Sequence, residues 1–132
     1  MITARQAATL LRAARAVRRR AHAPYSKYQV GAAVLDERGR IHAGCNVENA
    51  SYGLTVCAER NAVAVAVAAG ARRIRAVAVC TPTAASPCGA CRQVLAELGD
   101  PGTDVILAGP AGAPKRSTLG ALLPLGFALR AT

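Results

Sequence analysis

The sequence predicts an α/β fold, a mixed sheet of about five strands with helices on its faces. Three observations point there. Apolar residues recur at helical spacing in the first segment. Two early β-rich runs lie so close together that they pair antiparallel, because parallel pairing needs a longer crossover. From Cys57 onward, helical segments bounded by Gly or Pro alternate with short β-rich runs, the pattern of β-α-β crossovers. A chain of 132 residues fits one domain, residues 1–132, and can bury about two thirds of its unfolded surface without disulfide staples.

Thr3 and Gln6 have the spacing of a capping box, and Ala7, Leu10, Leu11, Ala14 and Val17 form the apolar stripe of a first helix. The same residues lack acids and are rich in Arg and Ala, as a mitochondrial targeting segment would be. A capped structural helix explains them better. His22 to Lys27 contains Pro24 and reads as a loop feeding a strand from Tyr28 to Leu35. Asp36 to Gly39 make the turn into a second strand, Arg40 to Val47, with Asn46 and Glu48 at its carboxyl end.

No Gly or Pro interrupts Cys57 to Ala69, and Gly70 is placed as a C-terminal cap, so this segment reads as a buried helix. Val63, Val65 and Val67 make a strand the competing reading, which length and the Gly70 stop oppose. Ile74 to Cys80 is a strand. Ser86 and Pro87 open a helix from Cys88 to Leu98, Gly99 to Thr103 end it, and Asp104 to Ala108 form the next strand. The Gly-, Pro- and Ala-rich stretch Gly109 to Arg116 has room for a short edge strand. Leu119 to Leu123 read as a last helical turn before Pro124.

The formal net charge is +10, and much of it lies in Arg12, Arg15, Arg18, Arg19 and Arg20. A basic face attracts phosphate, yet single-strand binders also need aromatic platforms for bases. No aromatic is interleaved with this cluster, so the solvated-face reading is preferred and no nucleic-acid partner is expected. No run of 18 apolar residues occurs, which leaves no membrane span. The five cysteines include one C-x-x-C, which points to metal or redox chemistry over disulfides and to the cytoplasm as the compartment.

The chemistry concentrates in Cys57-Ala58-Glu59 and Pro87-Cys88-Gly89-Ala90-Cys91, whose first cysteines are 31 positions apart. Together they offer three thiolates and a carboxylate. Three soft ligands are one fewer than a closed structural zinc site has, which leaves a position open to water. Both segments fall at the first turn of a helix, where unpaired N–H groups and a partial positive charge favour thiolate. A divalent ion with three thiolates is still net negative, and Arg60 is placed to withdraw that charge by hydrogen-bonding the sulfurs. Two other readings compete: a structural site completed by Cys80 or a His, and a redox C-x-x-C, which would leave Cys57, Glu59 and Arg60 without a role. Cys45 and Cys80 read as small buried strand residues, and His22 and His42 as surface or loop residues.

Four ordered blocks then carry a resemblance that covers nearly the whole chain. They are Pro24-Tyr25-Ser26-Lys27-Tyr28, Gly44 to Tyr52, Cys57-Ala58-Glu59-Arg60, and Ser86-Pro87-Cys88-Gly89-Ala90-Cys91-Arg92-Gln93. The chain resembles the small homotetrameric cytidine deaminases. The resemblance implies a three-layer α-β-α fold and hydrolytic loss of ammonia from C4 of cytidine or deoxycytidine in pyrimidine salvage. It implies one zinc ion (Zn2+) per chain on Cys57, Cys88 and Cys91, with Glu59 moving protons as general acid and base.

By the same resemblance, the Ala58 N–H and the Ser86 carbonyl orient the pyrimidine edge, and Asn46 and Glu48 hold the ribose hydroxyls. Tyr28 stands where the family usually has Phe and would stack on the base. Phe127, after Leu122-Leu123-Pro124, would reach a neighbouring subunit's site, although the tail lacks the family's acidic ending. A carboxylate such as Glu48 beside the sugar repels a 5′-phosphate, which favours nucleosides over nucleotides. Tyr25 and Tyr52 read as packing, interface or substrate contacts. Two rivals remain: a deaminase of a modified nucleoside such as a blasticidin-type antibiotic, disfavoured by Arg60, and a non-catalytic, zinc-stabilised RNA-binding module.

Overall fold

The computed structural model describes residues 1–129. The last three positions of the expected 1–132 domain, and with them the end of the tail after Phe127, lie outside the described residues. In chain order the elements are α1 (Ala4–Arg18), β1 (Gly31–Asp36), β2 (Ile41–Cys45), a 3₁₀ turn (Tyr52–Leu54), α2 (Ala58–Ala68), β3 (Ile74–Cys80), α3 (Gly89–Leu98), β4 (Asp104–Ala108), β5 (Lys115–Thr118) and α4 (Leu119–Leu122). The five strands make one mixed sheet in the order β2-β1-β3-β4-β5. Among the described residues the β3–β4 pair of strands is parallel and the other three pairs are antiparallel.

The predicted layers follow from the two faces of that sheet. Leu10, Leu11 and Ala14 of α1 pack with Ala33, Leu35, Ala78 and Ile106 on one face. Ala58, Ala62, Val63 and Ala66 of α2, with Leu95 of α3, pack with Ala32, Val34, Val77, Val79 and Val105 on the other. Covered on both sides, β1 is buried at every position, as a central strand of a three-layer fold must be. Small residues let the layers close. A Cβ at Gly31 would sit 2.1 Å from the Ala14 carbonyl oxygen, and one at Gly44 would sit 2.5 Å from the Ala62 nitrogen.

The capping box at α1 forms as expected: Gln6 N–H donates to Thr3 Oγ1 at 3.1 Å, and Thr3 N–H donates to Gln6 Oε1 at 3.0 Å. The segment after Cys57 is a helix, closed at Gly70 by paired bonds from Gly70 N–H to Val67 O and from Ala71 N–H to Ala66 O. It is not buried all round. Val65 and Val67 are 48% and 44% exposed, because the sheet needs only the stripe of small residues that faces it.

The hairpin is shorter than expected at its open end, where β1 starts after Tyr28 and β2 ends before Val47; its turn-side ends move by one residue, and the edge strand forms at Lys115–Thr118, at and beyond the end of the Gly109 to Arg116 stretch. The Asn46 side chain accepts from Val30 N–H and donates to Tyr28 O, each at 2.8 Å. A side-chain amide thus replaces the ladder where the first strand was expected to begin, and β1 starts at Gly31. β2 ends at Cys45, and Val47 forms isolated bridges with His22 and Val56. Asp36 organises the hairpin between these strands: its carboxylate accepts from the Arg38 and Arg40 amides, from Arg40 Nε at 2.9 Å and from His42 Nε2 at 2.8 Å. His42 is therefore a buried strand residue, correcting the surface reading.

Two outcomes test this account. Gly44→Ala should destabilise the protein by about 1–3 kcal/mol through overpacking, read as a lower urea midpoint, whereas an unchanged midpoint would refute the close approach of β2 and α2. Burial pushes the Asp36 carboxyl up, but the hydrogen bonds from His42, from the Arg40 and Arg38 amides and from the Arg40 side chain outweigh it and hold the group well below its ordinary value. Its stabilising effect is then complete above the unfolded value near ~4 and is lost as pH falls through the lower folded value. Asp36→Asn should lower the urea midpoint at pH 7, and the gap to the parent should narrow in acid. A gap constant with pH would contradict this.

Candidate active site

The amino ends of α2 and α3 converge on one place. Gly44 lies against Ala58, Asn61 and Ala62 at the start of α2, and Gly44 and Val79 both pair with Ala32. The start of α2 therefore sits at the carboxyl end of β3, beside the parallel pair, where open α/β sheets place their ligands. Cys57 is the residue capping α2, Cys88 caps α3, and Cys91 is the third residue of α3. Each cysteine thus sits where helix N–H groups lack intrahelical partners.

The three sulfurs lie within 4.8 Å of one another, with Cys57 Sγ and Cys88 Sγ 3.9 Å apart. Cys91 is fully buried, Cys57 half-buried and Cys88 exposed, so the cluster opens on the Cys88 side. Hydrogen bonding with Cys91 pulls the Cys57 thiol down to about 5, against the upward push of burial and with help from Arg60 and Cys88. The same hydrogen bond, with burial and the nearby Glu59 charge, pushes Cys91 up. Arg60 Nη2 donates to Cys57 Sγ at 3.5 Å. Its Nε is buried without a hydrogen-bond partner among the described residues, leaving a cationic group aimed at the sulfurs.

Glu59, one position after the first residue of α2, is 5% exposed, and burial raises its carboxyl above the ordinary value. A protonatable carboxyl therefore stands two residues from Cys57. Three soft donors at two positive helix ends, flanked by a guanidinium, fit a zinc ion with one position left for another ligand. The closed four-ligand alternative finds no fourth ligand, since among the described residues the group consists of Cys57, Cys88 and Cys91 with neither Cys80 nor a His. Cys80 faces the α1 side of the sheet and bonds to Gly109 O, and His42 is committed to Asp36.

The remaining expected residues fall into two groups. Asn46 is buried and joined to the Tyr28 backbone, while the Tyr28 ring packs on the core and its hydroxyl shares a hydrogen bond with Thr83 at 2.8 Å. Glu48 is partly exposed and accepts from the Tyr25 and Ser26 amides and from the Ser26 hydroxyl. The Ser26 hydroxyl in turn accepts from Tyr28 N–H, so the loop before β1 is tied to Glu48. The hydrogen bonds to Glu48, from the Ser26 hydroxyl first and against some burial, lower its carboxyl below the ordinary value and favour its charged form. Ala58 is buried at the start of α2, and Ser86 accepts from Arg92.

Phe127 stands apart from these residues. It is 68% exposed and lines a groove with Ala96, Gly99 and Pro101 at the carboxyl end of α3, away from the cysteines at its amino end. Sequence reasoning missed Ser26, Thr83 and Arg92 as partners. Ser26 and Arg92 lay inside the quoted blocks, but the contacts of Ser26 with Glu48, of Tyr28 with Thr83 and of Arg92 with Leu122 span more than twenty positions and leave no periodic signal. The Arg-rich helix is partly structural: Arg15 donates to Gly109 O and Gly112 O, and Arg18 donates to Gln29 O.

Comparison with known proteins agrees with this geometry. Residues 4–107 match the family model described as the cytidine and deoxycytidylate deaminase zinc-binding region. A cytidine deaminase of Sporosarcina psychrophila is 45% identical over 120 residues, covering 89% of this chain and 88% of that protein. One from Mycobacterium tuberculosis is 47% identical over 112 residues, covering 83% and 80%. The crystal structure of cytidine deaminase from Burkholderia pseudomallei superposes with a TM-score of 0.87 at 47% identity, covering 96% of this chain and all of that one. A fold, a thiol cluster and a sequence likeness that extend over the same residues place this chain in the cytidine and deoxycytidylate deaminase family.

Proposed function

We propose that this single-domain protein removes ammonia hydrolytically from cytidine and deoxycytidine, giving uridine and deoxyuridine, as a cytoplasmic enzyme of pyrimidine salvage. The observation that carries this reading is the cluster of three thiols within 4.8 Å at two helix N-termini, with the buried Glu59 carboxyl beside it. Cys57, Cys88 and Cys91 would hold one zinc ion per chain. Bound there, zinc makes water acidic enough to act as a nucleophile near neutral pH.

Glu59 takes the proton of the attacking water and delivers it to N3 of the ring, then takes the proton of the new C4 hydroxyl and passes it to the amine, so that ammonia leaves and the C4 carbonyl forms. One carboxyl serves as base and then acid because it is shielded from bulk water. Arg60 draws negative charge from Cys57, which keeps the site from becoming too electron-rich. Tyr28 stacks on the base, while the Ala58 N–H and the Ser86 carbonyl orient its amide edge. Asn46 and Glu48 hold the ribose hydroxyls. Glu48 already accepts three hydrogen bonds from the loop, and a carboxylate offers about four acceptor sites, so a substrate hydroxyl is the fitting fourth partner.

The assembly in this reading is a homotetramer whose sites lie at subunit interfaces, with Phe127 supplied by a neighbour. Exposed Phe127, Tyr52 and Leu54 and the outer face of α2 at Val65 and Val67 support association, since aromatic and aliphatic side chains concentrate at interfaces.

Zinc-loaded protein should convert cytidine to uridine in an absorbance assay, and no turnover would overturn the reading. Glu59→Gln should lower kcat by about 10²–10⁴-fold with zinc, measured by atomic absorption, still near one per chain. Loss of both would show that Glu59 holds the metal site together instead. Native mass spectrometry should find a tetramer, and a monomer that retains full activity would remove Phe127 from the site.

A further inference from the structure

Arg92, the residue after Cys91 on α3, divides its guanidinium among three acceptors. Nε donates to Pro87 O at 2.8 Å, Nη2 to Ser86 Oγ at 3.0 Å and Nη1 to Leu122 O at 2.7 Å. The first two acceptors belong to the turn that leads into Cys88. The third is the last residue of α4, a helix of four residues, too short to be stable without such anchoring. On the next position, Gln93 Nε2 donates to Phe127 O at 3.0 Å. Two adjacent side chains of α3 therefore grip both the Ser86–Pro87 turn and the C-terminal segment.

We propose that Arg92 is a positioning residue that fixes the Ser86–Pro87 turn and, with Gln93, locks the segment from Leu122 to Phe127 to that turn. The part of the site that meets the pyrimidine edge and the tail that carries Phe127 then hold one relative position. This rests on the functional reading above for its link to substrate, though not for the clamp itself. The chemistry explains why the residue is Arg. Pro87 has no N–H, so the turn cannot brace itself through that donor. The last carbonyls of α4 lack intrahelical partners. Only a planar fork reaches three acceptors in three directions at once; a Lys ammonium in that place is a point charge on a flexible stem.

Hydrogen–deuterium exchange on the zinc-loaded full chain tests the clamp without reference to activity. In Arg92→Lys and Arg92→Ala, exchange should speed up in residues 83–90 and in residues 119–128 together, with α1 unchanged. Faster exchange in only one of the two segments, or in neither, overturns the coupling. Kinetics test its consequence: kcat/KM for cytidine should fall by about 10–100-fold, as expected for a slight misplacement of a contacting group. Zinc content should be unchanged, and Lys should give no rescue. Recovery of activity by Lys, or zinc loss in parallel with activity, overturns the positioning role. An inactive parent protein would overturn the deaminase reading, while the exchange pattern would still decide the clamp.

Discussion

The convergence of two helix N-termini at the carboxyl end of the parallel β3–β4 pair is the constraint on which the site depends. Three thiols within 4.8 Å cannot all ionise in isolation, because like charges at that spacing oppose one another. Helix ends and the Arg60 guanidinium offset that repulsion.

That convergence in turn requires α2 to lie close to β2. Gly44 permits it, since any Cβ there would collide with the α2 backbone. Asn46 then follows two positions later, and its amide stitches the strand end to the Tyr28–Val30 segment. A single short strand thus sets the depth of the helix that starts at Cys57 and also the path of the loop that carries Tyr28 and leads to Glu48. Packing and chemistry are joined here by backbone proximity, with no long-range device needed.

The outer face of α2 and the exposed aromatics point the other way, out of the chain. A helix that is apolar nearly all round reads as buried, and in the isolated chain it is buried on one side only. Periodicity reports that a side chain avoids water; it does not report whether the shelter comes from the same chain. Phe127 poses the same question, being exposed in a groove at the carboxyl end of α3.

The fold class, the order of elements, the helix caps and the grouping of Cys57, Glu59, Arg60, Cys88 and Cys91 were all legible in the sequence. They rest on local rules: capping geometry, 3.6-residue periodicity, Gly and Pro stops, and ligand spacing along a helix start. Tertiary structure alone decided that β1 begins at Gly31, that His42 is buried against Asp36, that Ser26 braces Glu48, and that Arg92 joins the Cys88 turn to the C-terminal segment. Each of those is a side chain satisfying a polar group that the chain's folding has brought near. Such pairings are set by which buried donors and acceptors remain after the sheet and helices have used theirs, and that remainder exists only once the layers have closed.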